Sequence, residues 1–141
     1  MITFSTDDIE MPVFDQPKVT LWLNLTAQSH NKKIGRLNYI FCSDERELQI
    51  NRQFLGHDYY TDVITFDYSK ADTLSGDIFI SLDTVRSNAQ TVGVAEQEEL
   101  LRIIVHGLLH LTGQGDKTPE TKQQMTEKEN AALQIWKKNK Q

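Results

Sequence analysis

The stretch Glu96–Leu111, which reads EQEELLRIIVHGLLHL, decides how this chain folds. Its apolar side chains point in almost every direction around a predicted helix, which is typical of a helix that is buried on all sides. We expect Gly113 to end this helix in a left-handed conformation. The rest of the chain must then supply the layers that enclose the helix. The apolar residues are Leu100, Leu101, Ile103, Ile104, Val105, Leu108, Leu109 and Leu111.

Four short segments that are rich in β-forming residues and bounded by turn residues predict strands. They are Ile2–Phe4, Ile34–Cys42, Thr61–Tyr68 and Gly76–Ser81. In the second segment Leu37, Tyr39 and Phe41 share one face, which we expect to be buried. The turn-forming residues 69–73 predict that the last two strands pair as an antiparallel hairpin.

Capping residues and helix breakers predict four further helices. These run from Gln16 to near His30, from Ser43 or Asp44 to Phe54, from Ser81 to about Gln90, and from Thr118 to about Lys138. Asp44 followed by Glu47 resembles a capping box for the second of them. The predicted fold class is therefore α+β, with a small mixed β-sheet packed with several helices around one buried central helix. We expect residues 1–141 to form a single domain.

The composition is that of an ordinary globular protein, with 38% hydrophobic and 25% charged residues among 141. No stretch reaches the ~18 consecutive apolar residues of a membrane span, and the N-terminus lacks the features of a signal peptide. The single Cys42 excludes a disulfide framework and a cysteine-based zinc site, and it fits a reducing compartment. We therefore expect a cytoplasmic protein with no membrane partner.

The charge balance argues against a nucleic-acid partner. The chain has 15 Lys and Arg residues against 20 Asp and Glu residues, for a formal net charge of -5. Domains that bind nucleic acids normally carry a basic surface. Composition alone would therefore argue against an RNA partner.

Two histidines mark the candidate functional site. His106 and His110 lie four residues apart, so both imidazoles share one face of the predicted central helix. Gly113 then turns the chain and Asp116 follows, which gives the pattern H-x-x-x-H-x-x-G-x-x-D. This spacing matches an extended zinc-protease motif with Asp in place of the third His. His106, His110 and Asp116 are therefore candidate ligands of one metal ion, and three ligands leave a fourth position open, as in catalytic zinc sites.

The same residues allow another interpretation, in which His106 and His110 are hydrogen-bonded core residues and Asp116 caps a turn. Two imidazoles on one apolar helix favour the metal site, because leaving them unpaired in a core is costly. A protease is disfavoured, since Gly107 stands where a zinc protease holds its general-base Glu.

Three blocks of the sequence together resemble the YbeY endoribonucleases, also called rRNA maturation factors. Residues 105–113 reproduce the family's His-Gly-x-Leu-His-Leu-x-Gly run, and Asp116 stands where the family has a third His. The other two blocks are Asn51 followed by Thr61–Phe66, and Gly76–Ile80. The blocks keep the family's order over residues 37–129.

The resemblance implies a metal-dependent single-strand endoribonuclease that acts in ribosomal RNA processing and maturation and in ribosome quality control, in the bacterial cytoplasm. It implies one Zn²⁺ ion as the cofactor and single-stranded ribosomal RNA as the partner, with ribosomal proteins or ribosome-associated factors as further candidates. The corresponding reaction is metal-assisted cleavage of a phosphodiester. The sequence identifies no general acid or base.

The chain departs from the family pattern after Asn51. The family has an Arg at the position that Leu55 occupies here. Arg52 lies one helical turn away and could take over the role of that Arg. Asp62 and Asp77 could orient the histidine rings through hydrogen bonds, although Asp residues at strand ends commonly cap turns. The missing Arg and the acidic charge favour an alternative function, that of a metal-stabilised, non-catalytic binding protein in ribosome assembly.

Overall fold

The predicted central helix lies against a four-stranded sheet in the structure, a computed structural model that describes residues 1–56 and 63–139. The strands are β1 (Ile2–Thr6), β2 (Lys33–Cys42), β3 (Val63–Asp67) and β4 (Thr73–Ser81). The helices are α1 (Gln16–Ser29), α2 (Asp44–Ile50), α3 (Leu82–Val92), α4 (Glu96–Leu111) and α5 (Pro119–Lys138). A π-helical turn, Asn51–Leu55, follows α2 directly. Among the described residues, no helix has the length and apolar character needed to cross a membrane.

The strands lie in the order β1-β2-β4-β3. Strands β1, β2 and β4 are parallel, whereas β3 is antiparallel to β4 and forms the predicted hairpin with it. Strand β4 begins earlier than its sequence pattern predicts, because Thr73 and Leu74 extend the ladder beside Lys33 and Ile34 of β2. The mixed sheet and its helices confirm the predicted α+β class.

Helix α4 packs on the face of the sheet that the alternation in β2 predicts to be buried. Leu37, Tyr39 and Phe41 are all fully buried. The Tyr39 hydroxyl donates a 2.8 Å hydrogen bond to the carbonyl oxygen of Ile104 in α4. Burial raises the pKa of Tyr39 above its usual range, so the phenol remains a neutral donor. This bond ties the middle of α4 to the centre of the sheet.

Two glycines allow close contacts, one between α4 and β4 and the other between β4 and β3. A Cβ atom at Gly107 of α4 would lie 2.8 Å from Cγ2 of Ile78 in β4, which is closer than carbon atoms pack. Ile78 is fully buried and β-branched, so it cannot easily move aside. At Gly76 a Cβ atom would overlap the carbonyl oxygen of Phe66. Packing therefore requires glycine at both positions.

Ser43, rather than Asp44, caps the N-terminus of α2. The Ser43 hydroxyl accepts a 3.1 Å hydrogen bond from the backbone N–H of Arg46. The capping box predicted at Asp44 is wrong, because the Asp44 carboxylate accepts hydrogen bonds from the hydroxyls of Ser81 and Thr84 instead. Asp44 thereby joins the start of α2 to the start of α3.

The end of α2 also differs from the sequence prediction. The α-helical part of α2 ends at Ile50 rather than Phe54, because the π-helical turn follows it and ends at Gly56, where φ is +67°. Strand β3 is described from Val63 onward, and the start predicted at Thr61 lies outside the described residues. Helices α4 and α5 have the predicted bounds.

Replacing Gly107 by Val is expected to lower the free energy of unfolding by about 1–3 kcal/mol, because the new side chain overpacks the contact with Ile78. The matched control is Gly115→Val, since a Cβ atom at Gly115 meets open space. Urea unfolding in the presence of a chelator measures both variants without a contribution from bound metal. Equal losses in the two variants would contradict the close packing of α4 on the sheet.

Candidate metal centre

The C-terminal end of α4 and the turn after it bring the three candidate ligands together. His106 and His110 lie on one face of the last helical turns, as their spacing predicts. Gly113 has φ +98°, as predicted for the helix end, and its N–H donates a 3.0 Å hydrogen bond to the His110 carbonyl oxygen. The chain then reverses, and Asp116 returns to the side of the two imidazoles.

The three side chains form a cluster small enough to surround one ion. Nε2 of His106 lies 3.0 Å from Nε2 of His110, and Oδ2 of Asp116 lies 3.3 Å and 3.5 Å from these two nitrogens. Ligand atoms of tetrahedral zinc, at bond lengths of 2.0–2.2 Å, are separated from one another by about 3.3–3.6 Å. The cluster therefore needs only a small expansion to accept zinc, and its nitrogen and oxygen donors suit that ion.

Hydrogen bonds fix which nitrogen of each imidazole faces the cluster. Nδ1 of His106 lies 2.6 Å from Oε2 of Glu129, and Nδ1 of His110 lies 3.0 Å from the carbonyl oxygen of Gln114. A carboxylate and a carbonyl accept hydrogen bonds, so we assign the ring protons to Nδ1 and a lone pair to each Nε2. Together with the Asp116 carboxylate, three electron-pair donors face one point. A cation among them would relieve their mutual repulsion.

Glu129 is a site residue that the sequence did not reveal. Its spacing with Met125 and Ala132 on α5 predicts a core stripe, and all three residues are indeed buried. The Glu129 carboxylate reaches His106 with one oxygen and Arg102 with the other, at 2.6 Å and 2.8 Å. The sequence contains one indication of this role, namely an acidic residue within an otherwise apolar stripe, because a buried carboxylate requires polar or charged partners.

The sequence prediction for the residues that orient the imidazoles is wrong for Asp77. Its carboxylate accepts a 2.8 Å hydrogen bond from Asn38, and it alternates with Ile78, the residue that faces α4. Glu129 and the Gln114 carbonyl occupy the Nδ1 positions instead. Asp62, the other candidate, lies outside the described residues.

Two further positions singled out in the sequence lie near the end of α2. Arg52 and Leu55 belong to the π-helical turn, where both are exposed. That Arg52 replaces the family's missing Arg stays a prediction.

Gly107, where a zinc protease has its general-base Glu, faces the sheet. A side chain at this position would be directed at Ile78. The fold therefore provides no room for a catalytic Glu there, and the geometry does not support peptide hydrolysis by the zinc-protease route.

The chain resembles known proteins over nearly its whole length. Residues 2–137 match the family model described as Endoribonuclease YbeY. The Endoribonuclease YbeY of Bacteroides thetaiotaomicron is 52% identical over 132 residues, which cover 94% of this chain and 96% of that protein. The Endoribonuclease YbeY of Parabacteroides distasonis is 51% identical over 134 residues, covering 95% and 94%.

A solved structure has a similar fold over nearly the whole chain. The solution structure of a Thermotoga maritima protein matches with a TM-score of 0.64 and 25% identity, covering 99% of this chain and 93% of that one. The region matched by the family model includes α4 and the turn after it, which carry the three candidate ligands. On this evidence the chain belongs to the YbeY endoribonuclease family.

Proposed function

We propose that this protein is a zinc-dependent single-strand endoribonuclease of ribosomal RNA. The observation that carries the proposal is the convergence of His106, His110 and Asp116 on one point, within a family whose members are named as endoribonucleases. Ribosomal RNA maturation and ribosome quality control are the processes in which we place the activity, with ribosome-associated proteins as candidate partners and the cytoplasm as its compartment.

The residues of the site would have two separate roles, which are to bind the ion and to orient its ligands. Two imidazoles and one carboxylate would hold the ion, and three protein ligands leave a position for the substrate. A zinc ion bound there supplies a Lewis acid that polarises a phosphoryl oxygen. Glu129 and the Gln114 carbonyl hold the two imidazoles in the tautomer that binds metal.

The candidate ligands differ in their exposure to solvent. The Asp116 side chain is 32% exposed, whereas the His106 side chain is 11% exposed. A substrate phosphate would therefore approach from the side of Asp116 and the loop after α4. Because the net charge is -5, RNA binding requires basic residues to be concentrated near the metal centre, and we expect the affinity for RNA to fall as salt is raised.

Zinc retention by variants tests the ligand set. His106→Ala and His110→Ala should each abolish stoichiometric zinc, because two remaining ligands hold the ion too weakly to survive dialysis against a mild chelator. His30→Ala is the matched control, since His30 lies at the C-terminus of α1 and outside the cluster. Elemental analysis provides the measurement. Full zinc occupancy in both cluster variants would contradict the assignment.

Asp116 is tested in the same dialysis series by two substitutions with opposite expected results. Asp116→Asn removes the anionic oxygen and should lose zinc, although Asn serves in a turn about as well as Asp. Asp116→His supplies the imidazole found elsewhere in the family and should retain zinc. If Asn retained the ion and His lost it, the third ligand would have to be another residue.

Cleavage of RNA tests the activity itself. The purified protein should cleave single-stranded RNA, lose this activity with a chelator and regain it on addition of Zn²⁺, while casein stays intact. His106→Ala, compared with His30→Ala, separates the activity from that of a contaminating nuclease. Zinc-loaded protein that binds RNA without cutting it would support the non-catalytic alternative. Cleavage that is unaffected by the chelator would contradict the proposal.

A further inference from the structure

We infer that Glu129 is a positioning residue of the candidate metal centre, that it holds the His106 ring with Nε2 toward the ion, and that Arg102 anchors Glu129. The inference deepens the proposed function and rests on the proposed metal site. It concerns two residues outside the ligand set, on helices α4 and α5.

The contacts of Glu129 account for both of its carboxylate oxygens. Oε2 lies 2.6 Å from Nδ1 of His106, and Oε1 lies 2.8 Å from a guanidinium nitrogen of Arg102. Glu129 is only 7% exposed, and a carboxylate buried to that degree is stable only when its oxygens are paired. The contact with Oε2 of Glu129 places a hydrogen-bond acceptor at Nδ1 of His106 and so favours the Nδ1–H tautomer.

Arg102 and His106 are four residues apart on α4, so one carboxylate from α5 can reach both. Arg102 also donates a 2.9 Å hydrogen bond to the side-chain oxygen of Asn130, the residue after Glu129. The guanidinium thus spans two consecutive residues of α5 and fixes the position of the Glu129 side chain. This geometry gives Arg102 an indirect effect on the metal centre, through Glu129.

A different interpretation gives the pair a structural role alone, as an ion pair that fastens α5 to α4. The two interpretations differ in what they predict for metal affinity. An ion pair that only fastens the helices would change stability and leave zinc affinity unaltered. A positioning residue changes zinc affinity and the environment of the His106 Nδ1 proton, because a ligand whose ring is no longer held must be ordered on binding.

The experiment compares zinc affinity in wild-type protein, Glu129→Gln and Glu127→Gln. Glutamine keeps the volume of Glu129 but removes the charge, and the dissociation constant for zinc, measured by competition with a chromophoric chelator, should rise about 10- to 100-fold. Glu127 is exposed on the same helix and should leave the constant unchanged. The free energy of unfolding of each variant, measured with the metal removed, shows separately how much the substituted residue contributes to the stability of the fold.

Two further readouts separate positioning from fastening. In the zinc-loaded wild type, nitrogen-15 NMR should show the His106 Nδ1 proton as a protected downfield signal, and Glu129→Gln should shift it upfield. Arg102→Met should weaken zinc binding in the wild-type background and have little further effect in Glu129→Gln, since Arg102 acts through Glu129.

The inference is overturned if Glu129→Gln binds zinc as tightly as Glu127→Gln, or if His106 binds zinc through Nδ1. In either case zinc binding by the wild type leaves the proposed metal site intact, so only the positioning role fails. Wild-type protein that binds no zinc would overturn both the metal site and the role of Glu129.

Discussion

The contact between α4 and the sheet is the constraint on which the rest of the structure depends. Gly107 allows α4 to approach Ile78 of β4 without an intervening side chain, and the Tyr39 hydroxyl bonds to the backbone of the same helix at Ile104. These contacts fix the rotation of α4 about its axis. With that rotation fixed, His106 and His110 lie on the side of α4 that meets the loop carrying Asp116.

The candidate metal centre also depends on the far end of the chain. Helix α5 packs on α4 and brings Glu129 to the buried side of His106, while Asp116 lies on the exposed side of the same ring. The ring is thus held between two carboxylates with different roles, one at each nitrogen. Arg102 supplies a positive charge beside Glu129, which offsets the cost of burying this carboxylate.

Local patterns in the sequence predicted most of the fold and the candidate ligands, because helical spacing, alternation and glycine turns act within a few residues. Contacts between distant residues could not be predicted in this way. The sequence around Asp44 predicts a helix cap, but its carboxylate accepts hydrogen bonds from Ser81 and Thr84, which lie 37 and 40 residues further along the chain. Glu129 looked like part of a core stripe, since its bond to His106 exists only after α5 packs on α4.

The zinc K-edge X-ray absorption spectrum of the zinc-loaded protein tests the central claim most directly, because it reports the ligand atoms themselves. The account predicts nitrogen and oxygen ligands at about 2.0–2.2 Å, with outer-shell scattering from two imidazoles. In Asp116→His the imidazole scattering should increase to that of three rings. A sulfur ligand at about 2.3 Å, which Cys42 would have to supply, or scattering without imidazole would contradict a site formed by His106, His110 and Asp116.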